Sequence, residues 1–127
     1  MPYRLTKLPG ALLAATILAG CAGTFGSAPP ATEREIRIRV TNNNWTDATV
    51  YLVRNGARTR LGTVTSMNRV LLSVPPAIFS GGSSIRLLID LIGSSASFLT
   101  ESILVAPGQV IDFTVENNLH LSNYAVW

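Results

Sequence analysis

The sequence predicts an all-β protein: a single small antiparallel β-sandwich of about seven or eight strands, formed by residues 35–127. From Glu35 onward, apolar and polar residues alternate along most segments, as they do in strands with one buried face. Clusters of Asn, Gly, Pro and Ser interrupt these segments about every ten residues, and no window after residue 34 has helical periodicity. Two sheets that each bury one apolar face pack together as a sandwich.

The first three predicted strands are residues 35–41, 48–54 and 57–65. The first alternates isoleucine and valine with arginine, and three consecutive asparagines, residues 42–44, end it because asparagine tolerates turn geometry. Asn55 and Gly56 separate the second and third strands. Both residue types accept the positive φ angles of a type I′ turn, so this pair predicts a two-residue hairpin.

The remaining predicted strands are residues 69–74, 85–92, 97–105, 110–116 and 119–127. Pro75 and Pro76 end the first of them, because proline has no N–H group to donate to a sheet. The second has apolar residues on both faces, which is typical of a central strand. The third is expected to bend near Glu101. Pro107 and Gly108 precede the fourth and predict a type II turn.

The N-terminal segment predicts a secretory signal peptide. Arg4 and Lys7 supply its positive start, and residues 11–19 form an apolar run that only Thr16 interrupts. The run is shorter than the roughly 20 residues that a membrane-spanning helix needs. A buried helix or a permanent N-terminal anchor is the alternative interpretation.

The apolar run ends in Leu18-Ala19-Gly20-Cys21, which contains the only cysteine of the chain. This motif resembles the lipobox of bacterial lipoproteins, in which Leu18, Ala19 and Gly20 would be recognised by the signal peptidase. The resemblance implies cleavage after Gly20, thioether attachment of diacylglycerol to Cys21 and acylation of its new amino group. In such lipoproteins an aspartate after the cysteine favours the inner membrane, so Ala22 implies the outer membrane, facing the periplasm.

Three regions are therefore expected: a signal peptide at residues 1–20, a lipidated cysteine with a disordered linker at residues 21–34, and the β-sandwich at residues 35–127. The linker is small, polar and proline-rich, a composition that favours a flexible coil with a span of about 20 Å. With a single cysteine, the chain cannot form an internal disulfide.

The mature domain is similar in outline to the immunoglobulin-like and transthyretin-like sandwiches of bacterial envelope proteins. The similarity lies in the number of strands and in the Pro107-Gly108-Gln109 segment that leads into a late strand. It implies a sandwich with exposed edges, and an exposed edge can bind a partner strand by β-augmentation.

The charge composition argues against a nucleic-acid partner. The formal net charge is +3, but Arg4 and Lys7 belong to the predicted signal peptide. Without them, eight arginines are balanced by seven acidic residues, and no basic block is present.

No catalytic group, metal site or cofactor is predicted. His120 is the only histidine, and we expect it to be an exposed strand residue. The serines cluster with glycines in loops, and no Gly-x-Ser-x-Gly motif is present. Residues 42–44 and Asp47 could supply oxygen ligands to calcium in a loop, which is the alternative for this segment.

Trp45, Tyr124 and Trp127 are the candidate contacts for a partner or ligand, because Trp and Tyr supply large contact areas; packing within the sandwich is the alternative. The predicted function is that of a non-enzymatic envelope lipoprotein, a structural or adaptor subunit held to the membrane by acyl chains on Cys21 and bound to an envelope protein complex. A glycan- or small-ligand-binding module that uses Trp45 and the loop asparagines is the alternative function.

Overall fold

A computed structural model describes Gly26, residues 35–79 and residues 84–127, and the chain forms the predicted β-sandwich. Two 3₁₀-helices occur, at Pro76–Phe79 and Leu119–Leu121, and the described ranges contain no α-helix. The described ranges contain nine strands, which are β1 (Arg37–Asn42), β2 (Ala48–Arg54), β3 (Ala57–Val64), β4 (Asn68–Ser73), β5 (Ser84–Leu91), β6 (Ser97–Leu99), β7 (Ile103–Leu104), β8 (Val110–Val115) and β9 (Asn123–Val126).

The two sheets contain four and five strands. The four-stranded sheet has the order β4-β1-β8-β9, and we call it the β1 sheet. The five-stranded sheet, called the β2 sheet, has the order β3-β2-β5-β6, and β7 also pairs with β5. All neighbours are antiparallel except β1 and β8. The sequence predicted a purely antiparallel sandwich, so this parallel pair is a difference from the prediction. The two strands run in the same direction because both begin at the same end of the sandwich.

The strand count reaches nine because the predicted strand at residues 97–105 divides into β6 and β7. Thr100, only 2% exposed, lies at the division. Its backbone N–H donates to the carbonyl of Leu87, and its Oγ1 accepts from the N–H of Leu87, both at 2.9 Å. The side chain thus replaces a backbone partner, and the chain bends beside Glu101 as predicted.

The last predicted strand, residues 119–127, is shorter in the structure because the 3₁₀-helix Leu119–Leu121 precedes β9. The Asn118 side chain caps this helix by accepting a hydrogen bond from the N–H of His120. The expectation that His120 is a strand residue was therefore wrong, although its side chain is exposed.

The hairpin between β2 and β3 is confirmed, with φ angles of 50° at Asn55 and 79° at Gly56. The central position of β5 is also confirmed, since it pairs with β2 on one side and with β6 and β7 on the other.

The core lies between the two sheets and is built from the alternating apolar positions. Phe113 on β8 is 1% exposed, and its ring centroid lies 6.2 Å from that of Phe98 on the facing sheet. Side chains from both sheets are completely buried around it, namely Ile38, Val40, Val50, Leu87, Ile89 and Ile111.

The sandwich has two ends, which we name by what lies there. At the Trp45 end, the carbonyls of Asn44 and Asp47 accept hydrogen bonds from the N–H groups of Met67 and Ile92, so three connections meet. These are the connections β1–β2, β3–β4 and β5–β6, and the β8–β9 connection lies at the same end. The linker end is opposite: there β1 begins, and the Asn55–Gly56 turn lies there with Trp127.

The predicted signal peptide, Cys21 and linker, residues 1–34, lie outside the described residues apart from Gly26. Within the described ranges, no helix has the length and apolar character needed to cross a bilayer.

Candidate functional site

Asn42 holds together the connections at the Trp45 end. As the last residue of β1 it follows the buried positions of that strand, and its side chain is 0% exposed. Its Nδ2 donates to the carbonyl of Thr46 at 2.9 Å and to that of Thr65 at 3.2 Å, while its Oδ1 accepts from the N–H of Asn44 at 2.9 Å. One amide therefore joins the β1–β2 loop to the β3–β4 turn.

Asn44 extends these contacts to the segment that follows β8. Its side chain is 6% exposed, and its Oδ1 accepts from the N–H of Thr46 at 2.9 Å. Its Nδ2 donates to the carbonyls of Glu116 and Asn117 at 3.1 and 3.3 Å. The β1–β2 loop is thus hydrogen-bonded to the β3–β4 turn and to the segment after β8, and these bonds hold its backbone in one conformation.

The calcium-binding alternative for this loop is not supported by the geometry. The Asp47 Oδ1 accepts from the N–H of Ser66 at 2.8 Å, and the Oδ1 atoms of Asn42 and Asn44 also face backbone donors. Calcium requires about six to eight converging oxygen atoms. In the part of the chain that the structure describes, no group of three or more Asp, Glu, His or Cys residues could hold a metal ion.

Trp45 lies at the tip of this loop and is 76% exposed. Its backbone N–H donates to the Oδ1 of Asn117 at 3.2 Å, and both of its chain neighbours are hydrogen-bonded. A large aromatic side chain on an ordered backbone loses little conformational freedom when it binds, which is a property of interface hot spots.

Three further apolar residues are exposed on the connections of the Trp45 end. Met67, Ile92 and Leu121 are 59%, 50% and 66% exposed. Sequence reasoning did not single them out, because Met67 lies between two predicted strands, while Ile92 and Leu121 fall within the predicted strands 85–92 and 119–127. Together with Trp45 they give this end the apolar character that partner-binding surfaces often have.

The structure does not bring the three candidate aromatic residues together. Trp127 is 72% exposed but lies at the linker end, where its backbone pairs with Val110. Tyr124 lies in β9 opposite Phe113 and is 37% exposed. Trp45 and Trp127 are separated by the length of the strands, about 20 Å for the six residues of β8.

An open hollow of about 640 Å³ lies between the β5–β6 turn and the segment after β8. His120 is on its wall, and the residues that line this hollow include no Asp, Glu or Cys. A smaller hollow of about 390 Å³ lies at the linker end beside the Asn55 turn. The larger hollow is lined mainly by small and polar residues, which are Ser95, Ala96, Ser97, Asn117, Asn118 and His120, with Leu91 and Leu119.

No family model matches the sequence, and no curated protein matches it. Among solved structures, the chain is similar to one described as the NMR structure of the protein from Eubacterium rectale, with a TM-score of 0.45 and 11% sequence identity. The similarity covers 79% of this chain and 93% of that chain.

Proposed function

We propose that this protein is a non-enzymatic lipoprotein of the bacterial envelope that acts as a structural or adaptor subunit. Cys21 holds it to the periplasmic face of the outer membrane, and the Trp45 end binds a protein partner. One observation carries the proposal: the exposed Trp45 loop and the start of β1, which the linker precedes, lie at opposite ends of the sandwich.

This arrangement suits a tethered adaptor. The predicted linker, residues 22–34, joins the sandwich directly before β1, so an anchor at Cys21 would keep the linker end towards the bilayer. As a coil the linker spans about 20 Å, and the strands add about 20 Å. The Trp45 end would then face the periplasm, where a partner can reach it.

Partner binding by this end is supported by its side chains. Trp45, Met67 and Ile92 are at least half exposed although they are large and apolar. Removing such side chains from water on association is favourable. The hydrogen bonds of Asn42 and Asn44 hold the loop before a partner arrives, so little ordering remains for the complex to provide.

Trp45→Ala is expected to weaken partner binding by about 2 kcal/mol, or roughly 30-fold, as truncation of a hot spot does. Its free energy of unfolding should change by less than about 0.5 kcal/mol, because the side chain is exposed. Crosslinking in intact cells, with quantified recovery of the crosslinked partner, measures the binding. Leu71→Ala is the control, since Leu71 is also an exposed apolar residue but lies midway along β4, at neither end of the sandwich. Equal losses in the two variants would contradict the proposal.

Cys21→Ser is expected to abolish lipidation and to remove the protein from the outer-membrane fraction. Three acyl chains anchor a protein stably, because each buried methylene contributes about 0.8 kcal/mol. Mass spectrometry of the N-terminal peptide checks the site: the wild-type peptide should begin at Cys21 and should contain the glyceride and the amide-linked chain. A wild-type peptide with an unmodified Cys21, or with residues before it, would rule out the anchor.

A glycan-binding module is the second candidate function. It is favoured by the larger hollow, because Asn117, which lines this hollow, accepts a hydrogen bond from the backbone N–H of Trp45. Amide and hydroxyl groups beside an exposed indole can hold a sugar ring. Titration of the Trp127→Phe variant with envelope glycans distinguishes the two functions. A saturable change in Trp45 fluorescence would favour the glycan module over the protein adaptor.

A further inference from the structure

The charges of the sandwich differ between its two ends. Among the described residues near the Trp45 end the carboxylates predominate, namely Asp47, Asp90 and Glu116 against one arginine, Arg69. Near the linker end the arginines predominate, namely Arg37, Arg54, Arg58 and Arg86 against Glu35 and Glu101. The charge of the described part of the chain is therefore asymmetric along the strands, and the linker end is the more positive of the two ends.

Two arginines of the linker end, Arg58 and Arg86, are exposed, and the Nε of Arg86 donates a hydrogen bond to the carbonyl of Thr100 at 3.2 Å. Val53 pairs with Arg58 on one side and Arg86 on the other, so the two exposed arginines lie about 10 Å apart on the outer face of the β2 sheet. Neither forms an ion pair with any described residue. By contrast, Arg39 at mid-height donates to both carboxylate oxygens of Asp112 at 3.0 Å.

Two large apolar side chains are exposed at the same end. Trp127 is 72% exposed beside Val110, which also pairs with Arg37. Leu104 is 75% exposed and pairs with Ser84 at the start of β5. Tryptophan prefers the interface between lipid headgroups and acyl chains, and arginine binds anionic headgroups. The linker end therefore combines both kinds of side chain that a bilayer surface attracts.

We propose that the linker end is a membrane-contact surface, and that its partner is the anionic phospholipid surface of the bilayer that holds Cys21. This inference rests on the proposed lipid anchor. A flexible coil of the length of the predicted linker would span about 20 Å and would keep this end near the headgroups, where the surface field extends over a Debye length of about 8 Å. Contact orients the sandwich upright and directs the Trp45 end away from the lipid.

The two tryptophans of the chain, one at each end, make the orientation measurable. The lipidated full-length protein is reconstituted into vesicles of brominated phosphatidylcholine, with and without phosphatidylglycerol. The Trp45→Phe variant reports on Trp127, and the Trp127→Phe variant reports on Trp45. With phosphatidylglycerol, bromine should quench Trp127 and leave Trp45 unchanged. NaCl at about 1 M, which shortens the Debye length to about 3 Å, should reverse the quenching.

The double variant with Arg58→Gln and Arg86→Gln tests whether these two positive charges attract the sandwich to the anionic membrane surface. Each arginine near an anionic surface contributes roughly fivefold to the association, so the pair should lower the equilibrium constant of surface contact about 30-fold. Arg39→Gln with Arg69→Gln removes the same charge from the outer face of the β1 sheet, away from Arg58 and Arg86, and should leave the quenching unchanged. Thermal unfolding of both double variants checks that they fold.

Equal quenching of both tryptophans, or quenching of Trp127 that ignores phosphatidylglycerol and salt, would overturn the membrane-contact surface. Loss of quenching in both double variants would overturn its assignment to Arg58 and Arg86. Failure of the lipid anchor can be distinguished from failure of the membrane-contact surface, because a protein without acyl chains would not co-float with any of the vesicles in a density gradient.

Discussion

Phe113→Ala is expected to lower the free energy of unfolding by about 3–5 kcal/mol. Phe113 is 1% exposed, and within its sheet it lies between Val40 and Tyr124. Its ring reaches across the sandwich to Phe98, with 6.2 Å between the centroids. The residue therefore bridges the two sheets, and its truncation leaves a cavity that neither sheet can close without moving its backbone.

Urea unfolding of the two variants Phe113→Ala and Phe98→Ala, followed by circular dichroism, measures this effect. A domain of this size is stable by about 5–15 kcal/mol, so Phe113→Ala should move the midpoint to a much lower urea concentration. Phe98 packs against the core but is only partly buried, and Phe98→Ala should cost less. A larger loss from Phe98→Ala would contradict the central position of Phe113.

The strands could be predicted from the sequence because a strand with one buried face leaves a local pattern. Ile36, Ile38 and Val40 alternate with polar residues and are all buried. The Asn55-Gly56 turn is equally local, since two residues determine its backbone angles. The parallel pairing of β1 with β8 was not predictable in the same way, because alternation shows which face of a strand is buried but not which strand lies beside it.

The candidate site was predictable in part. Trp45 stood out as an aromatic residue in a turn, and its distance from the linker follows from topology, since one strand, β1, separates them. Asn42 did not stand out, because three consecutive asparagines are typical of an exposed turn. Its burial depends on the carbonyl of Thr65, which lies 23 positions later in the chain. No local pattern contains that information.

Asn42→Asp is expected to lower the free energy of unfolding by about 3–5 kcal/mol near pH 7, the loss typical of an uncompensated buried charge. The substitution preserves the shape of the side chain but replaces the Nδ2 donor by an acceptor. The new oxygen would face the carbonyl oxygens of Thr46, Val64 and Thr65, which now accept from Nδ2 at 2.9, 3.4 and 3.2 Å. These carbonyls would repel a carboxylate and lose their donor.

Asn118→Asp is the matched control for this substitution. The Asn118 side chain is exposed and only accepts a hydrogen bond, from the N–H of His120. A carboxylate accepts that bond at least as well, so we expect a change of less than about 0.5 kcal/mol. An equal loss in the two variants would mean that the donor role of Asn42 does not matter.

The loss in Asn42→Asp should depend on pH in a direction that its environment determines. Burial and the facing carbonyl oxygens disfavour the charged form, so the pKa of the new carboxyl in the folded state lies above its unfolded value of about 3.9. The folded variant then binds the proton more tightly than the unfolded chain, and its stability falls as the pH rises. The difference from the wild type should be largest near neutral pH and should shrink towards pH 4 and below, where the protonated carboxyl can donate one hydrogen bond. A difference that stays constant across this range would show that the three carbonyls do not face residue 42.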